Sequence, residues 1–84
     1  MTQRITITTI EQAVARLNRI AGTDTYVIDA AYGGYRLCQK CRFGGERDLS
    51  DRASGRETYS VINAFINGYE ASQLARAIAD DYTI

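Results

Sequence analysis

The 84 residues carry ten basic and ten acidic side chains and are 45% hydrophobic, a balance that excludes a disordered chain and leaves room for one core but not two. Zero net charge argues against a general nucleic-acid binder, which needs a basic excess, and against an acidic imitation of DNA. No apolar run approaches the ~20 residues of a membrane span, and the first residues lack the apolar block of a signal peptide. A single domain over residues 1–84 in the cytoplasm is therefore expected.

In chain order, Arg4-Ile5-Thr6-Ile7 is β-branched at three positions and reads as a short strand. Thr8 with Glu11, or Thr9 with Gln12, has the spacing of a capping box that opens a helix. Ile10, Ala13, Val14, Leu17, Ile20 and Ala21 then recur at the spacing of one helical face, and Gly22 supplies the left-handed stop.

Two β-prone runs, Tyr26–Ala31 and Tyr35–Cys41, flank Gly33-Gly34, which reads as the centre of a two-residue hairpin turn because both positions need positive φ. Alternation puts Tyr35, Leu37 and Gln39 on the face toward the helices and Arg36, Cys38 and Lys40 on the other. A second pair, Gly44-Gly45, returns the chain into a shorter strand around Glu46–Leu49, and Ser50–Gly55 is a loop of turn formers.

Ser54 with Glu57 repeats the capping spacing, and Tyr59, Ile62, Phe65, Ile66 and Tyr69 form an aromatic-rich core stripe. Asn67-Gly68 interrupts it, and Asn67 with Glu70 can cap a further segment whose apolar face is Ala71, Leu74, Ala75 and Ile78. The spacing leaves one kinked helix and two helices equally open. The expected class is α+β: a small antiparallel sheet of two to three strands, with a short N-terminal strand beside it, and two to three helices packed on one face.

Chemistry finds little to work with. Cys38 and Cys41 have the CxxC spacing of a zinc or redox pair, yet the chain has no histidine and no second cysteine pair. Incidental thiols are the simpler reading, with no metal and no cofactor. The missing histidine also removes the usual general base, so the chain is not expected to be an enzyme.

Arginine and tyrosine are suited to planar and stacked contacts, and the hairpin gathers Tyr32, Tyr35, Arg36, Lys40 and Arg42, with Arg47 beyond them. Glu70, Asp80 and Asp81 make the other end acidic, a polarity that would suit head-to-tail association.

The run Ala31-Tyr32-Gly33-Gly34-Tyr35-Arg36-Leu37, followed by Gly44-Gly45, Arg56-Glu57 and Ala64-Phe65-Ile66-Asn67-Gly68, resembles a group of short proteins encoded by tailed phages, prophages and plasmids. In that group a leucine-asparagine pair, here Leu17-Asn18, precedes the hairpin. The order of elements, with Phe65, Asn67, Gly68 and Tyr69 near a helix end, is also similar to that of a small Cas9-blocking anti-CRISPR protein, which is strongly acidic where this chain is neutral.

The resemblance implies an origin on a mobile element but carries no activity and no contact residue. The resulting expectation is an accessory protein that binds and modulates a host protein, in the manner of an anti-defence inhibitor, through Tyr32, Tyr35, Arg36, Lys40 and Arg42. A small nucleic-acid-binding module on the same basic hairpin, and a zinc- or redox-dependent protein using Cys38 and Cys41, are the alternatives. A homodimer is a further expectation, because one small core supplies limited stability.

Overall fold

The computed structural model describes residues 5–82, with side chains as far as Ala79. Arg4 and the side chains of Asp80 and Asp81 thus lie outside the described residues. The elements run α1 (Ile7–Ala21), β1 (Tyr26–Ala31), β2 (Gly34–Lys40), β3 (Glu46–Asp48) and α2 (Gly55–Tyr82). This is an α+β chain with a three-stranded antiparallel sheet in the order β1-β2-β3 and two helices.

The expected strand over residues 4–7 does not form within the described residues. Thr6 has extended backbone, and its hydroxyl accepts from the backbone N–H of Thr9, so it caps a helix that has already begun at Ile7. The cap falls earlier than either Thr8 or Thr9. β-Branched residues favour strands only where a neighbouring strand exists to pair with, and the sheet offers none here. Ile10, Ala13, Val14 and Leu17 are buried as their spacing requires, and Gly22 closes the helix in the left-handed region at φ 72°.

Tyr26 enters the sheet through an unusual contact. The Asn18 amide accepts from the Tyr26 N–H at 3.0 Å and donates to its carbonyl at 3.1 Å, pairing with this residue as a neighbouring strand would. Lys40 N–H donates to the Thr25 carbonyl, so the ladder's alternation turns the main-chain groups of Tyr26, Ile28 and Ala30 away from β2.

The hairpin turn is displaced by one residue from Gly33-Gly34. Its central residues are Tyr32 and Gly33, at φ 53° and 74°, and Gly34 is the first residue of β2, opposite Ala31. Gly34 serves another purpose: a Cβ there would lie 3.0 Å from the Ala53 carbonyl oxygen and 3.1 Å from Arg52 Cγ. The glycine lets residues 52–53 lie directly against the ribbon. There Tyr35 and Ala53 exchange two backbone hydrogen bonds of 2.9 Å, so the expected loop over Ser50–Gly55 contains a β-bridge.

Gly44 and Gly45 have positive φ and deliver the chain into β3 as expected. Beyond it, Leu49 N–H donates to the Leu37 carbonyl, and Leu37 N–H donates to the Ser50 hydroxyl. Ser54 accepts from Glu57 N–H and donates to its carboxylate, opening α2 at the expected residues.

α2 is one helix of 28 residues that runs through Asn67-Gly68 without a break. An interior glycine costs a helix about 1 kcal/mol relative to alanine, too little to stop a segment anchored on the core on the N-terminal side of Gly68. Ile10, Leu17, Leu37 and Ile62 are fully buried, with Tyr26 and Ile66 beside them and Tyr35, Tyr59, Phe65 and Tyr69 packed around. Each such aliphatic side chain contributes about 1.5–3 kcal/mol by leaving water. Among the described residues no helix is long and apolar enough to cross a membrane.

Candidate recognition site

A close-knit polar cluster among the described residues lies where residue 52 meets the hairpin. Arg52 donates through one guanidinium nitrogen to the carbonyls of Ala31 at 2.9 Å, Asp29 at 3.3 Å and Gly34 at 3.4 Å. Its other terminal nitrogen forms a 2.7 Å ion pair with the Asp29 carboxylate. The guanidinium carbon stands 5.5 Å from the centroid of the Tyr32 ring, within the range of a cation–π contact. One planar cation thus ties together the end of β1, the start of β2 and the aromatic residue between them.

Tyr32 is the outlier this arrangement supports. It is 95% exposed and is the one non-glycine residue with positive φ among the described residues. The left-handed region costs such a residue roughly 1–2 kcal/mol. Glycine or asparagine would occupy the position more cheaply, so the strain is offset by the bridge behind the turn and by the Arg52 stack.

The five residues expected to form one contact surface are dispersed. Tyr32 sits at one end of the ribbon, whereas Lys40 and Arg42 sit at the other, ~20 Å away along β2. Tyr35 is half-buried against the core, and its backbone holds Ala53. Arg36 is half-buried and forms a 2.7 Å ion pair with Asp48. Lys40 and Arg42 are exposed, and Arg42 lies 5.6 Å from the ring of Phe43, itself 94% exposed.

The positive charge of the ribbon is largely matched across the strands. Asp29 is opposite Arg36, Asp48 is opposite Cys38 and paired with Arg36, and Glu46 is opposite Lys40. With the Arg52–Asp29 pair this makes an alternating ladder rather than a basic stripe. Arg47 donates to the Gln39 side-chain carbonyl.

The thiols are both free and differ in setting: Cys38 is 1% exposed and Cys41 is on the surface. Burial pushes the Cys38 thiol pKa up, and its hydrogen bond to Asp48 acts in the same direction. A reactive thiolate needs the opposite environment. Among the described residues no group of three or more His, Cys, Asp or Glu side chains is placed to hold a metal ion.

No family model, curated protein or solved structure matches this chain. The site has to be read from its own geometry. Sequence reasoning missed Arg52, which lies in a stretch without periodicity, and Phe43, which sits in a turn. The available signal was Gly34: once Tyr32-Gly33 makes the turn, a further glycine marks a close backbone approach.

Proposed function

We propose that this chain is a binding protein rather than an enzyme, carried by a mobile element, that engages a protein of the host cytoplasm through the tip of its β1–β2 ribbon. Tyr32 carries the reading: a fully presented ring in a strained backbone conformation, 5.5 Å from the guanidinium of a mostly buried arginine side chain, is arranged for contact rather than for stability. A tyrosine so held offers apolar area and a hydroxyl at low entropic cost, and Tyr and Arg predominate among residues that dominate protein interfaces.

In this reading both helices cover one face of the sheet and the other face, with Arg36 and Lys40, borders the contact. The resemblance of the Ala31–Leu37 run to phage, prophage and plasmid proteins supports a host target and an anti-defence role. The matched charge ladder withdraws support from the nucleic-acid alternative.

The test is affinity capture from a bacterial lysate with immobilised wild type and Tyr32→Asn, followed by mass spectrometry. Asparagine suits the left-handed region, so the variant should melt at or above the wild-type temperature while its specific partner is depleted at least ~10-fold. Retention of the same proteins by both would refute the assignment.

A further inference from the structure

We infer that the crevice between α1 and α2 binds a small oxyanion, a carboxylate or a phosphate, through Arg16 together with Gln12, Tyr59 and Asn63. Thr9, Gln12 and Arg16 follow one another at spacings of three and four and so share one face of α1. Tyr59, Asn63 and Ile66 share a face of α2 in the same way, and the two rows line a crevice of about 170 Å³ from both sides. Ala13 and Ile66, both buried, give it an apolar floor. A cavity of ~150 Å³ holds benzene, so a ligand of about six non-hydrogen atoms fits.

The walls present polar groups with no work inside the chain. Among the described residues the Gln12 and Asn63 carboxamides and the Tyr59 hydroxyl have no hydrogen-bond partner, although Tyr59 and Asn63 are half-buried. The Thr9 hydroxyl shares a single bond, with that of Thr6. Unpaired polar groups converging over an apolar floor are the make-up of a small-molecule site.

The sign of the ligand follows from the donors. Among the described residues that line the crevice none is acidic, and Arg16 is a cation. A guanidinium, two carboxamides and two hydroxyls offer more N–H and O–H donors than acceptors, a set that suits an acceptor-rich anion. The planar guanidinium fork matches carboxylate and phosphate oxygens in particular.

Glu70 shows this contact in a weak form. It lies outside the lining and approaches Arg16 at 3.5 Å, the arginine and glutamate side chains being 55% and 49% exposed. So long and solvated a pair leaves most of the guanidinium donors free. A ligand oxyanion would take those donors while Tyr59 and Asn63 bond its other oxygens and the floor receives a short apolar stem. A few charge-assisted hydrogen bonds, set against the cost of association, give a dissociation constant of ~1 mM. The site shares no residue with the ribbon tip and stands independently of the function proposed for it.

Amide-resolved NMR of the isotope-labelled full chain, titrated separately with sodium butyrate and with inorganic phosphate at an ionic strength held constant by sodium chloride, tests this. For at least one anion, saturable shifts should centre on the side-chain amides of Gln12 and Asn63 with half-saturation near ~1 mM. The tighter of the two tells a carboxylate ligand from a phosphate. Arg16→Gln and Asn63→Asp should each weaken binding at least ~10-fold with unchanged circular dichroism, whereas Glu70→Gln should tighten it about twofold by removing a competing carboxylate. Shifts that remain linear to ~50 mM for both anions, or that saturate only at other residues, overturn the inference. So does binding that neither Arg16→Gln nor Asn63→Asp weakens.

Discussion

Replacing Arg52 with alanine removes four hydrogen bonds and an aromatic contact in one step. The 2.7 Å pair with Asp29 involves a carboxylate almost half exposed, so it contributes only ~0.5–1 kcal/mol after screening. The three carbonyl bonds share one nitrogen, and only the 2.9 Å contact with Ala31 has good length, which limits them together to ~1.5 kcal/mol. Stacking on the exposed Tyr32 ring adds ~0.5–1 kcal/mol.

The expected loss is about 3 kcal/mol, and at ~4–8 °C per kcal/mol for a domain of this size the melting temperature should fall by ~12–24 °C. Urea titration and thermal melts followed by circular dichroism measure both quantities. Arg52→Lys keeps the charge but not the planar fork, and should recover ~1 kcal/mol at most. A loss below ~1 kcal/mol for alanine, or wild-type stability for lysine, would show that the hub does not hold the ribbon.

Two further outcomes follow from groups inside the fold. Burial and the hydrogen bond to Tyr69 push the Tyr26 hydroxyl pKa up to about 12. The unfolded chain therefore releases this proton first, and ~2 kcal/mol of stability present below pH ~10 should disappear as pH rises toward 12. Tyr26→Phe should show a shallower alkaline loss in pH-dependent urea melts; an identical slope would sink the assignment. Gly34→Ala should cost ~1–2 kcal/mol, because the Ala53 carbonyl must move and weaken the Tyr35–Ala53 bridge. An alanine variant at least as stable as wild type would mean the close approach is easily relaxed.

The parts of the fold that depend on local pattern were legible from the residues. The face of α1, its Gly22 stop, the Gly44-Gly45 connection and the Ser54–Glu57 start of α2 all follow from spacing and backbone preference, and so does the existence of the first hairpin, though its turn centres one residue earlier, on Tyr32-Gly33. Where the reading failed, tertiary context decided. Ile5-Thr6-Ile7 has strand propensity but no strand to join, and Asn67-Gly68 has turn propensity but lies in a helix whose earlier turns are anchored on the core.

The candidate site was half legible. Tyr32 was visible as a hairpin-tip aromatic, but Arg52 reaches it from residues twenty positions away and no period in the chain announces that contact. Likewise Arg36 and Lys40 look like free cations in sequence, and only the register reveals Asp48 and Glu46 beside them.

The Asn18 amide has a bearing on how this chain behaves when crowded with its own copies. Tyr26-Val27-Ile28-Asp29-Ala30-Ala31 is a proline-free outermost ribbon of the kind that seeds fibrils, which require six or seven uninterrupted residues to zip together. With Asn18 plugging its first rung, only the rungs at Ile28 and Ala30 stay open to a stranger, too few to template growth. Among the described residues, a single side chain from the preceding helix thereby shortens the open edge of β1, and β3, the other edge, is only three residues long.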